Sequence, residues 1–534
     1  MTTVKKLLLG DEALALGAVN AGLSGVYAYP GTPSTEITEF IQSDPTAQSR
    51  HVHSHWSSNE KTAMEQGLGM SFCGRRAMVC MKHVGMNVCA DPFVNSAFTG
   101  ANGGLIVVAA DDPSMHSSQN EQDSRFYADF AFIPALEPSN QQEAYDMAAY
   151  GFELSERHSI PVMVRMVTRL AHSRAVVECA ARGTAPNPLH YPAPDKSSQW
   201  VLMPGNSRRR YPQLIALWQT LADESEHSPF NTYHDGPDHS MGIIASGIGY
   251  NYVMENFAGG SCPYPVVKIS QYPLPAGMIQ RLASECDRIL VVEEGQPVIE
   301  RSLTGILTGN SHQVSGRLDG SLPRTGELNP DSVRRALGLA PLPSLQASAV
   351  VTRRPPALCQ GCGHRDVYQA LNEALAEYSS PKVFGDIGCY TLGWLAPFRA
   401  IDTVVDMGAS ITMAKGAADA GQHPAVAVIG DSTFTHSGMT GLLDAINENS
   451  PITVIISDNL TTGMTGGQDS QGTGKLEQIC LGLGADPAHV RTIDSLPRNV
   501  SAMKAMFKDE IDYPGLSVII SRRECLQTAR RKKA

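Results

Sequence analysis

An α/β protein built on mainly parallel sheets is the fold class that this sequence predicts. Short β-branched apolar runs alternate with helical patterns along most of the chain. Val426–Ile429 and Ile452–Ser457 are mainly apolar and β-branched, as buried parallel strands are, and the helical pattern Met439–Asn447 lies between them. With 534 residues, the chain is longer than a single hydrophobic core usually supports, so about three domains are expected.

Composition is that of an ordinary globular protein, with 42% hydrophobic and 18% charged residues. The net charge of −11 argues against a nucleic-acid partner, and no apolar run is long enough for a membrane span. Asp11 and Glu12 interrupt the apolar stretch near the start, so we expect no signal peptide and a cytoplasmic location. The 11 cysteines are therefore expected to be reduced, and a group of them would indicate a metal site.

The first unit is predicted over residues 1–180. A helical pattern covers Leu14–Ala21, and the turn Tyr29–Ser34 opens another helix. Its predicted strands are Gly25–Ala28, Ala77–Met81, Leu105–Ala109 and Val162–Arg165.

A Pro-rich connector is predicted over residues 181–238, including Tyr191-Pro192-Ala193-Pro194 and the basic run Arg208–Arg210, with one helix at Pro212–Leu221. A smaller α/β unit follows over residues 239–345, and the last unit covers 355–534. The strands predicted in the smaller unit are Gly242–Ala245, Val266–Ile269 and Ile289–Glu293.

Polar residues end both apolar runs of the last unit. Gly430-Asp431-Ser432 follows one run and Asp458-Asn459 the other, so both groups should meet at one edge of a parallel sheet. Oxygen ligands of this kind suit Mg²⁺, while Gly430 and a helix N-terminus favour a phosphate. The pattern predicts a metal–diphosphate anchor; an ordinary strand–helix–strand crossover with a Gly-Asp turn is the alternative.

Gly-Asp-Ser followed by a distant Asn resembles the diphosphate motif of thiamine-diphosphate (ThDP) enzymes. The resemblance implies that Asp431, Asn459 and the backbone carbonyl of Thr461 bind Mg²⁺. Ser432 stands where that motif usually has a second glycine. His364 and His436 are further candidates for the cofactor pocket, although His436 could equally be a helix cap.

Longer motifs extend the resemblance to the 2-oxoacid:ferredoxin oxidoreductases, and among them to the large (alpha) subunit of the indolepyruvate enzymes. The resemblance implies two doubly wound parallel-sheet domains, pyrimidine-binding (1–180) and diphosphate-binding (355–534), with a transketolase C-terminal-like domain (239–345) between them. The matching motifs are Tyr29–Ser34, Met81–Asn87, Asp111–Glu121, Cys359–Arg365 and Gly385–Tyr390.

The family chemistry implied is ThDP-dependent oxidative decarboxylation of a 2-oxo acid, with coenzyme A as co-substrate and ferredoxin or another carrier as electron acceptor. A small oxidoreductase subunit is the implied partner, in a dimer of heterodimers. A non-redox ThDP decarboxylase or carboligase is the main alternative, and a scaffold that only keeps the fold is a third.

Glu60, in Asn59-Glu60, matches the family's carboxylate on the cofactor pyrimidine. Glu65 is its rival on another face of the same helix. A simple helix N-terminal charge is the alternative role for Glu60. Thr32 matches a substrate-contacting threonine, with turn capping as the alternative.

Substrate recognition departs from relatives that act on pyruvate, which have an Arg where this chain has Asp111-Asp112. Lys82 and His83 are the first candidates to bind the substrate carboxylate, followed by His116 and Arg125; a surface Lys-His pair is the alternative. The branch resembled and the missing Arg together imply an aryl pyruvate as substrate.

A single [4Fe–4S] cluster is predicted on Cys359, Cys362, Cys389 and Cys525, because a Cys-x-x-Cys turn supplies two thiolates and the others follow predicted strands. The family's cluster nearest ThDP has ligands at matching places, and zinc is the alternative metal. The remaining cysteines, including Cys73, Cys80 and Cys89, are expected in helices or strands of the core.

Two further points concern metals. His51, His53 and His55 alternate at strand spacing and could share a face, but no Cys or carboxylate partner accompanies them. The family's usual ferredoxin-like module, with two Cys-rich runs, is not found before the final residue, Ala534. We therefore expect a partner or the internal cluster to pass electrons onward.

Overall fold

The computed structural model describes residues 3–181, 183–190, 199–307, 313–343, 346–352 and 354–532. The predicted Pro-rich stretch Tyr191-Pro192-Ala193-Pro194 lies outside these residues. The chain divides into two compact units, Met1–Leu345 and Gln346–Ala534, which are described separately.

The first unit contains strands and helices in alternation. Its strands are β1 (Thr3–Leu9), β2 (Gly25–Ala28), β3 (His53–Trp56), β4 (Ala77–Lys82), β5 (Leu105–Asp111), β6 (Ala135–Leu136), β7 (Val162–Val167), β8 (Arg174–Ala180), β9 (Thr232–His234), β10 (Gly242–Ser246), β11 (Val266–Ile269), β12 (Gln271–Tyr272), β13 (Arg288–Val292) and β14 (Gln313–Ser315). Its helices are α1 (Gly10–Asn20), α2 (Thr35–Ser43), α3 (Pro45–Ser49), α4 (Glu60–Phe72), α5 (His83–Thr99), α6 (Arg125–Ala131), α7 (Gln141–His158), α8 (Thr168–His172), α9 (Pro204–Ser225), α10 (Ile248–Met254), α11 (Ala276–Glu285), α12 (Val298–Ile306) and α13 (Pro330–Ala336).

Two larger sheets organise this unit. The seven-stranded sheet has the order β12-β6-β7-β5-β4-β2-β3 and is parallel except for β12. The five-stranded sheet has the order β14-β13-β10-β11-β9, with only β9 antiparallel. Strands β4, β5 and β7 are buried at every residue, which explains their continuous apolar sequences.

The second unit has one six-stranded sheet, all of it parallel, in the order β16-β15-β17-β18-β20-β19. Its strands are β15 (Lys382–Gly385), β16 (Thr403–Val404), β17 (Ala425–Gly430), β18 (Thr453–Asp458), β19 (Val490–Asp494) and β20 (Ser517–Arg522). Its helices are α14 (Gly363–Leu375), α15 (Ala409–Asp419), α16 (Asp431–Thr433), α17 (Met439–Asn447), α18 (Leu476–Gly482), α19 (Val500–Ile511) and α20 (Leu526–Arg531), and a π-helical turn, Phe434–Gly438, joins α16 to α17.

The predicted α/β class with parallel sheets is confirmed. The division into pyrimidine-binding, connecting, transketolase-like and diphosphate-binding domains stays a prediction. Within the described residues, no helix is both long and apolar enough to cross a membrane.

Three local predictions were wrong. The basic run Arg208–Arg210 belongs to α9, which begins at Pro204 rather than Pro212; few of its side chains are buried, so its apolar face is narrow. His51 precedes β3 with a φ of 54°, so it does not share a strand face with His53 and His55. Cys73, Cys262 and Cys286 lie outside the helices and strands, where all the remaining cysteines were expected.

Candidate active site

Two buried carboxylates meet at the carboxyl edge of the six-stranded sheet. Gly430 pairs with Ser457 across β17 and β18, so Asp431, which follows β17, and Asp458, which ends β18, lie at the same edge. Each is 1% exposed. Burial, together with the charge of Asp458, raises the pKa of Asp431 to about 7.

One oxygen of Asp431, Oδ2, has no hydrogen-bond partner among the described residues, although it is buried. A buried carboxylate oxygen is costly to leave unpaired, so this atom is suited to a cation. The residues therefore fit Mg²⁺.

The loop after β18 is held in a defined shape. Asn459 Oδ1 accepts the N–H of Thr461 at 3.1 Å, and Leu460 has a φ of 62°. Arg522 Nε donates to Asp458 Oδ2 at 2.7 Å, which anchors the start of the loop. An amide oxygen can accept two bonds, so Asn459 keeps one acceptor site for a metal.

Local contacts explain the residue types at positions 432 and 430. The Ser432 hydroxyl lies 2.8 Å from that of Thr462, which ties the strand end to the loop after β18. A Cβ at Gly430 would lie 2.6 Å from a ring carbon of Tyr390, so glycine here makes room for that ring.

Asp386 was not among the predicted site residues. Its carboxylate accepts the hydroxyl of Ser410 at 2.6 Å and also the hydroxyl of Tyr390. Burial raises the pKa of Asp386 to about 8. Its position directly after β15, in the same Gly-Asp pattern as Asp431, was the signal that could have found it.

The four predicted cluster cysteines line one cavity of about 110 Å³ in the second unit. Asp458, Asn459 and His364 line the same cavity. Burial, together with the nearby thiols of Cys362, Cys525 and Cys359, raises the pKa of Cys389 to about 12. The structure thus brings together residues from the Cys-x-x-Cys turn, the turn after β15 and the segment after β20.

The four sulfurs are not closely packed, since no three of these described thiols lie within 4.8 Å of one another. Gln527 Nε2 donates to Cys359 Sγ at 3.6 Å, a contact that the sequence did not reveal. A Cβ at Gly463 would lie 3.3 Å from Cys389 Sγ and 3.4 Å from Asn459 Nδ2. Glycine at position 463 therefore lets the loop after β18 approach the Cys389 thiol closely.

Both predicted histidines of this unit are buried. His364 is 5% exposed, and burial lowers its pKa to about 4, so its imidazole is neutral. His436 is 4% exposed and lies in the π-helical turn directly after α16.

In the first unit, Glu60 is the first residue of α4 and is 5% exposed. Asn59 caps this helix by accepting the N–H of Thr62 at 2.9 Å. A Cβ at Gly85 would lie 2.8 Å from Glu60 Oε1, so glycine on α5 leaves room for the carboxylate. Glu65 lies on another face, as predicted, and pairs with Lys61 in solvent.

Lys82 lies at the end of β4 and is 8% exposed. Its ammonium donates to the carbonyl of Ser117 at 2.6 Å, and the Ser117 hydroxyl donates to the carbonyl of Thr32 at 3.4 Å. Burial lowers the pKa of Lys82 to about 8, opposed by the negative charge of Asp112. The structure therefore places Lys82 beside the Thr32 turn.

The hydrogen bonds that hold the Thr32 turn come from its neighbours. Gly31 N–H donates to Thr35 Oγ1 at 3.0 Å, and the Ser34 hydroxyl donates to the Gly31 carbonyl at 2.8 Å. Turn capping therefore does not need the Thr32 side chain.

His83 and His116, which were also predicted to bind the substrate carboxylate, lie in different surroundings from Lys82. His83 is fully buried, donates from Nε2 to the Asn120 carbonyl at 3.2 Å, and has a pKa lowered mainly by burial, so it is a neutral group. His116 lies 3.4 Å from the Glu327 carboxylate.

Arg125 is 2% exposed and pairs with Asp123 and Glu293. The prediction that Arg125 could bind substrate is wrong, because both carboxylates already neutralise it inside the core.

The sequence profiles of two families match the chain. That of "Pyruvate flavodoxin/ferredoxin oxidoreductase, thiamine diP-bdg" matches residues 16–208. That of "Thiamine pyrophosphate enzyme, C-terminal TPP binding domain" matches residues 386–519.

Similar full-length proteins are also known. The indolepyruvate oxidoreductase subunit IorA of Archaeoglobus fulgidus is 37% identical over 98% of this chain and 86% of its own. The subunit of the same name from Methanothermobacter thermautotrophicus is 36% identical over 98% and 87%. A solved structure, the 2-oxoglutarate:ferredoxin oxidoreductase from Magnetococcus marinus, shares the fold with a TM-score of 0.50 at 16% identity, over 62% of this chain and 65% of that one.

Parallel sheets, a buried carboxylate edge and the two profile matches define a ThDP-dependent enzyme of the 2-oxoacid:ferredoxin oxidoreductase class. Within that class, the chain belongs to the family of the indolepyruvate oxidoreductase subunit IorA. The resemblance that the sequence motifs indicated is confirmed.

Proposed function

We propose that this chain catalyses the oxidative decarboxylation of an aryl pyruvate such as indolepyruvate. The 2-oxo acid anion and coenzyme A thiol give the acyl thioester, CO₂, one proton and two electrons. The electrons leave one at a time through a [4Fe–4S] cluster to ferredoxin or another acceptor. One observation carries the proposal: four thiols line a single cavity together with Asp458 and Asn459.

We assign the cofactor-binding roles to buried polar residues. Asp431, Asn459 and the carbonyl of Thr461 would hold Mg²⁺, and Gly430, Ser432, His364 and His436 would line the pocket for the diphosphate. Glu60 holds the proton at the pyrimidine nitrogen of the cofactor. When bound, ThDP supplies the electron sink that decarboxylation needs.

Iron–sulfur is favoured over zinc at the four cysteines by their spacing. Tetrahedral zinc with bonds of about 2.3 Å holds its thiolates about 3.8 Å apart. No three of the four described sulfurs lie within 4.8 Å of one another. A cluster of four irons holds one thiolate at each corner of a larger body, so it does not require three sulfurs this close together.

Lys82 is the group that binds the substrate carboxylate, because its ammonium is buried beside the Thr32 turn. Thr32 and neutral His83 lie beside it as polar contacts. An aryl side chain is inferred from the family and from Asp111-Asp112 in the place of the pyruvate-type Arg.

The proposed assembly is inferred from the family to which the chain belongs. The small oxidoreductase subunit is the proposed partner, in a dimer of heterodimers in the cytoplasm. Non-redox decarboxylation is the competing function.

Turnover with indolepyruvate, phenylpyruvate, pyruvate and 2-oxoglutarate tests the proposal on the anaerobic complex with the small subunit. We expect dye reduction by viologen that depends on coenzyme A, with the highest kcat/KM for the aryl substrates. An aldehyde product without dye reduction would establish the non-redox alternative, and a higher kcat/KM for pyruvate would overturn the substrate assignment.

A further inference from the structure

A second group of metal-ligand side chains lies in the first unit and uses none of the residues assigned above. Asp11, Glu36 and His172 each place one ligand atom within 4.8 Å of the others. They come from the first turns of α1 and α2 and from the end of α8. Glycine at position 10 permits this approach, because a Cβ there would lie 2.3 Å from the carbonyl oxygen of Leu170.

Three of the four carboxylate oxygens in this group have no hydrogen-bond partner among the described residues. Asp11 is fully buried, and neither of its oxygens has a hydrogen bond among the described residues. Glu36 Oε2 is likewise buried without a partner, while Glu36 Oε1 lies 3.4 Å from His172 Nε2. That single contact leaves three buried carboxylate oxygens unsatisfied, which is a costly arrangement without a cation or a proton.

Access to the group is open on one side. The side chains of His172 and Glu36 are 34% and 35% exposed, so an ion and a water molecule can reach the ligand atoms from solvent. Asp11 forms the closed, inner end of the same site.

We propose that Asp11, Glu36 and His172 bind a divalent transition-metal cation of the zinc type. Two carboxylate oxygens and one imidazole nitrogen are a set of three protein ligands that leaves a position for water. The imidazole disfavours Mg²⁺ and Ca²⁺, which take oxygen ligands.

The ion has a positioning role. Glu36 lies in the first turn of α2, directly after the turn that contains Thr32. A cation shared by the three residues fastens this turn to α1 and α8. The competing arrangement is a proton shared by Asp11 and Glu36, since burial, with the charges of Glu36 and Glu12, raises the pKa of Asp11 well above its usual value.

The test uses the full chain, purified anaerobically, loaded with iron and with Mg²⁺ and ThDP, and given one equivalent of Zn²⁺. Zinc X-ray absorption should show only nitrogen and oxygen ligands at about 2.0–2.2 Å, whereas zinc on the cysteines would show sulfur at about 2.3 Å. Asp11→Asn and His172→Gln should each weaken zinc binding by about tenfold or more in calorimetry.

Glu39→Gln, which changes an exposed carboxylate further along α2, is the matched control and should bind zinc as the parent does. His172→Gln alters a partly exposed side chain, so it keeps the test valid if Asp11→Asn fails to fold. Sulfur ligation, or equal zinc affinity in parent and both ligand variants, overturns the proposal. Absence of zinc binding together with a higher melting temperature of Asp11→Asn also overturns it and establishes the shared proton.

Discussion

Glu60 and Glu65 lie on one helix, and their surroundings give them different chemistry. Glu60 is buried against Gly85, whereas Glu65 is paired with Lys61 in solvent. A carboxylate that exchanges a proton with a cofactor must be shielded from water, so burial favours Glu60. The same criterion separates Lys82, which is buried beside the Thr32 turn, from the exposed His116.

Glu60→Gln should keep the fold and bind ThDP but lose activation of the cofactor, because an amide cannot hold the proton at the pyrimidine nitrogen. We expect deuterium exchange at the thiazolium carbon to slow by about 10²-fold or more, measured by NMR. Glu65→Gln is the control and should exchange at the parent rate. Parental exchange in Glu60→Gln would move the role to another carboxylate.

The lowered pKa of Lys82 predicts how kcat/KM depends on pH. Its pKa of about 8 means that the ammonium is present below that pH and is lost above it. The kcat/KM for the 2-oxo acid should therefore hold below about pH 8 and fall above it. Lys82→Met should lower kcat/KM about tenfold or more at pH 7, since a hydrogen bond to a charged group contributes about 1.5–3 kcal/mol.

Lys82→Arg is the informative companion, because its guanidinium stays charged throughout this range. The kcat/KM of this variant should no longer fall near pH 8, whatever its absolute value. An unchanged fall in Lys82→Arg would assign the titration to a different group.

Among the structural elements, the loop after β18 joins the two functions proposed for the second unit. A Cβ at Gly463, which lies in this loop, would contact both the Cys389 sulfur and the Asn459 side-chain amide. Gly463→Ala should therefore disturb both the metal–diphosphate site and the cluster, because the new Cβ lies at 3.3–3.4 Å from each. Weaker ThDP binding by calorimetry and an altered paramagnetic signal are the expected results.

Gly482→Ala is the matched control for this loop change. No described residue has an atom within 4 Å of a Cβ at that position, at the end of α18. It should leave both the calorimetry and the paramagnetic signal unchanged. If Gly463→Ala matches it in both measurements, the loop does not couple the two sites.

Elements with strong periodicity could be predicted from the sequence, as α17 shows by beginning and ending at the predicted residues. The strand ends that carry Asp431 and Asp458 could also be predicted, because parallel strands share an edge. The start of α9 at Pro204 and the pairing of β1 with β8 could not, since an exposed helix and an edge ribbon bury few side chains. Contacts such as Gln527 with Cys359 depend on folding of residues distant in sequence.

At the scale of the whole molecule, cofactor binding should be visible as added stability. A ligand at about 100 times its Kd stabilises the folded state by about 2.7 kcal/mol. Thermal unfolding with Mg²⁺ and ThDP should therefore raise the melting temperature of the parent by a few degrees. Asp431→Ala should remove this rise, because the buried metal ligand is gone.

Asp444→Ala, an exposed carboxylate on α17, is the control and should keep the full rise in melting temperature. A parental rise in Asp431→Ala would show that the cofactor is held elsewhere.

The central claim is that the chain is a redox enzyme with its own cluster, and metal analysis of anaerobic protein tests it most directly. We expect about four irons and matching sulfide per chain in the parent and in Cys480→Ser, whose thiol is buried in the core of the second unit. Cys525→Ser should lose the paramagnetic signal seen after reduction. Stoichiometric zinc without iron in the parent would contradict the account.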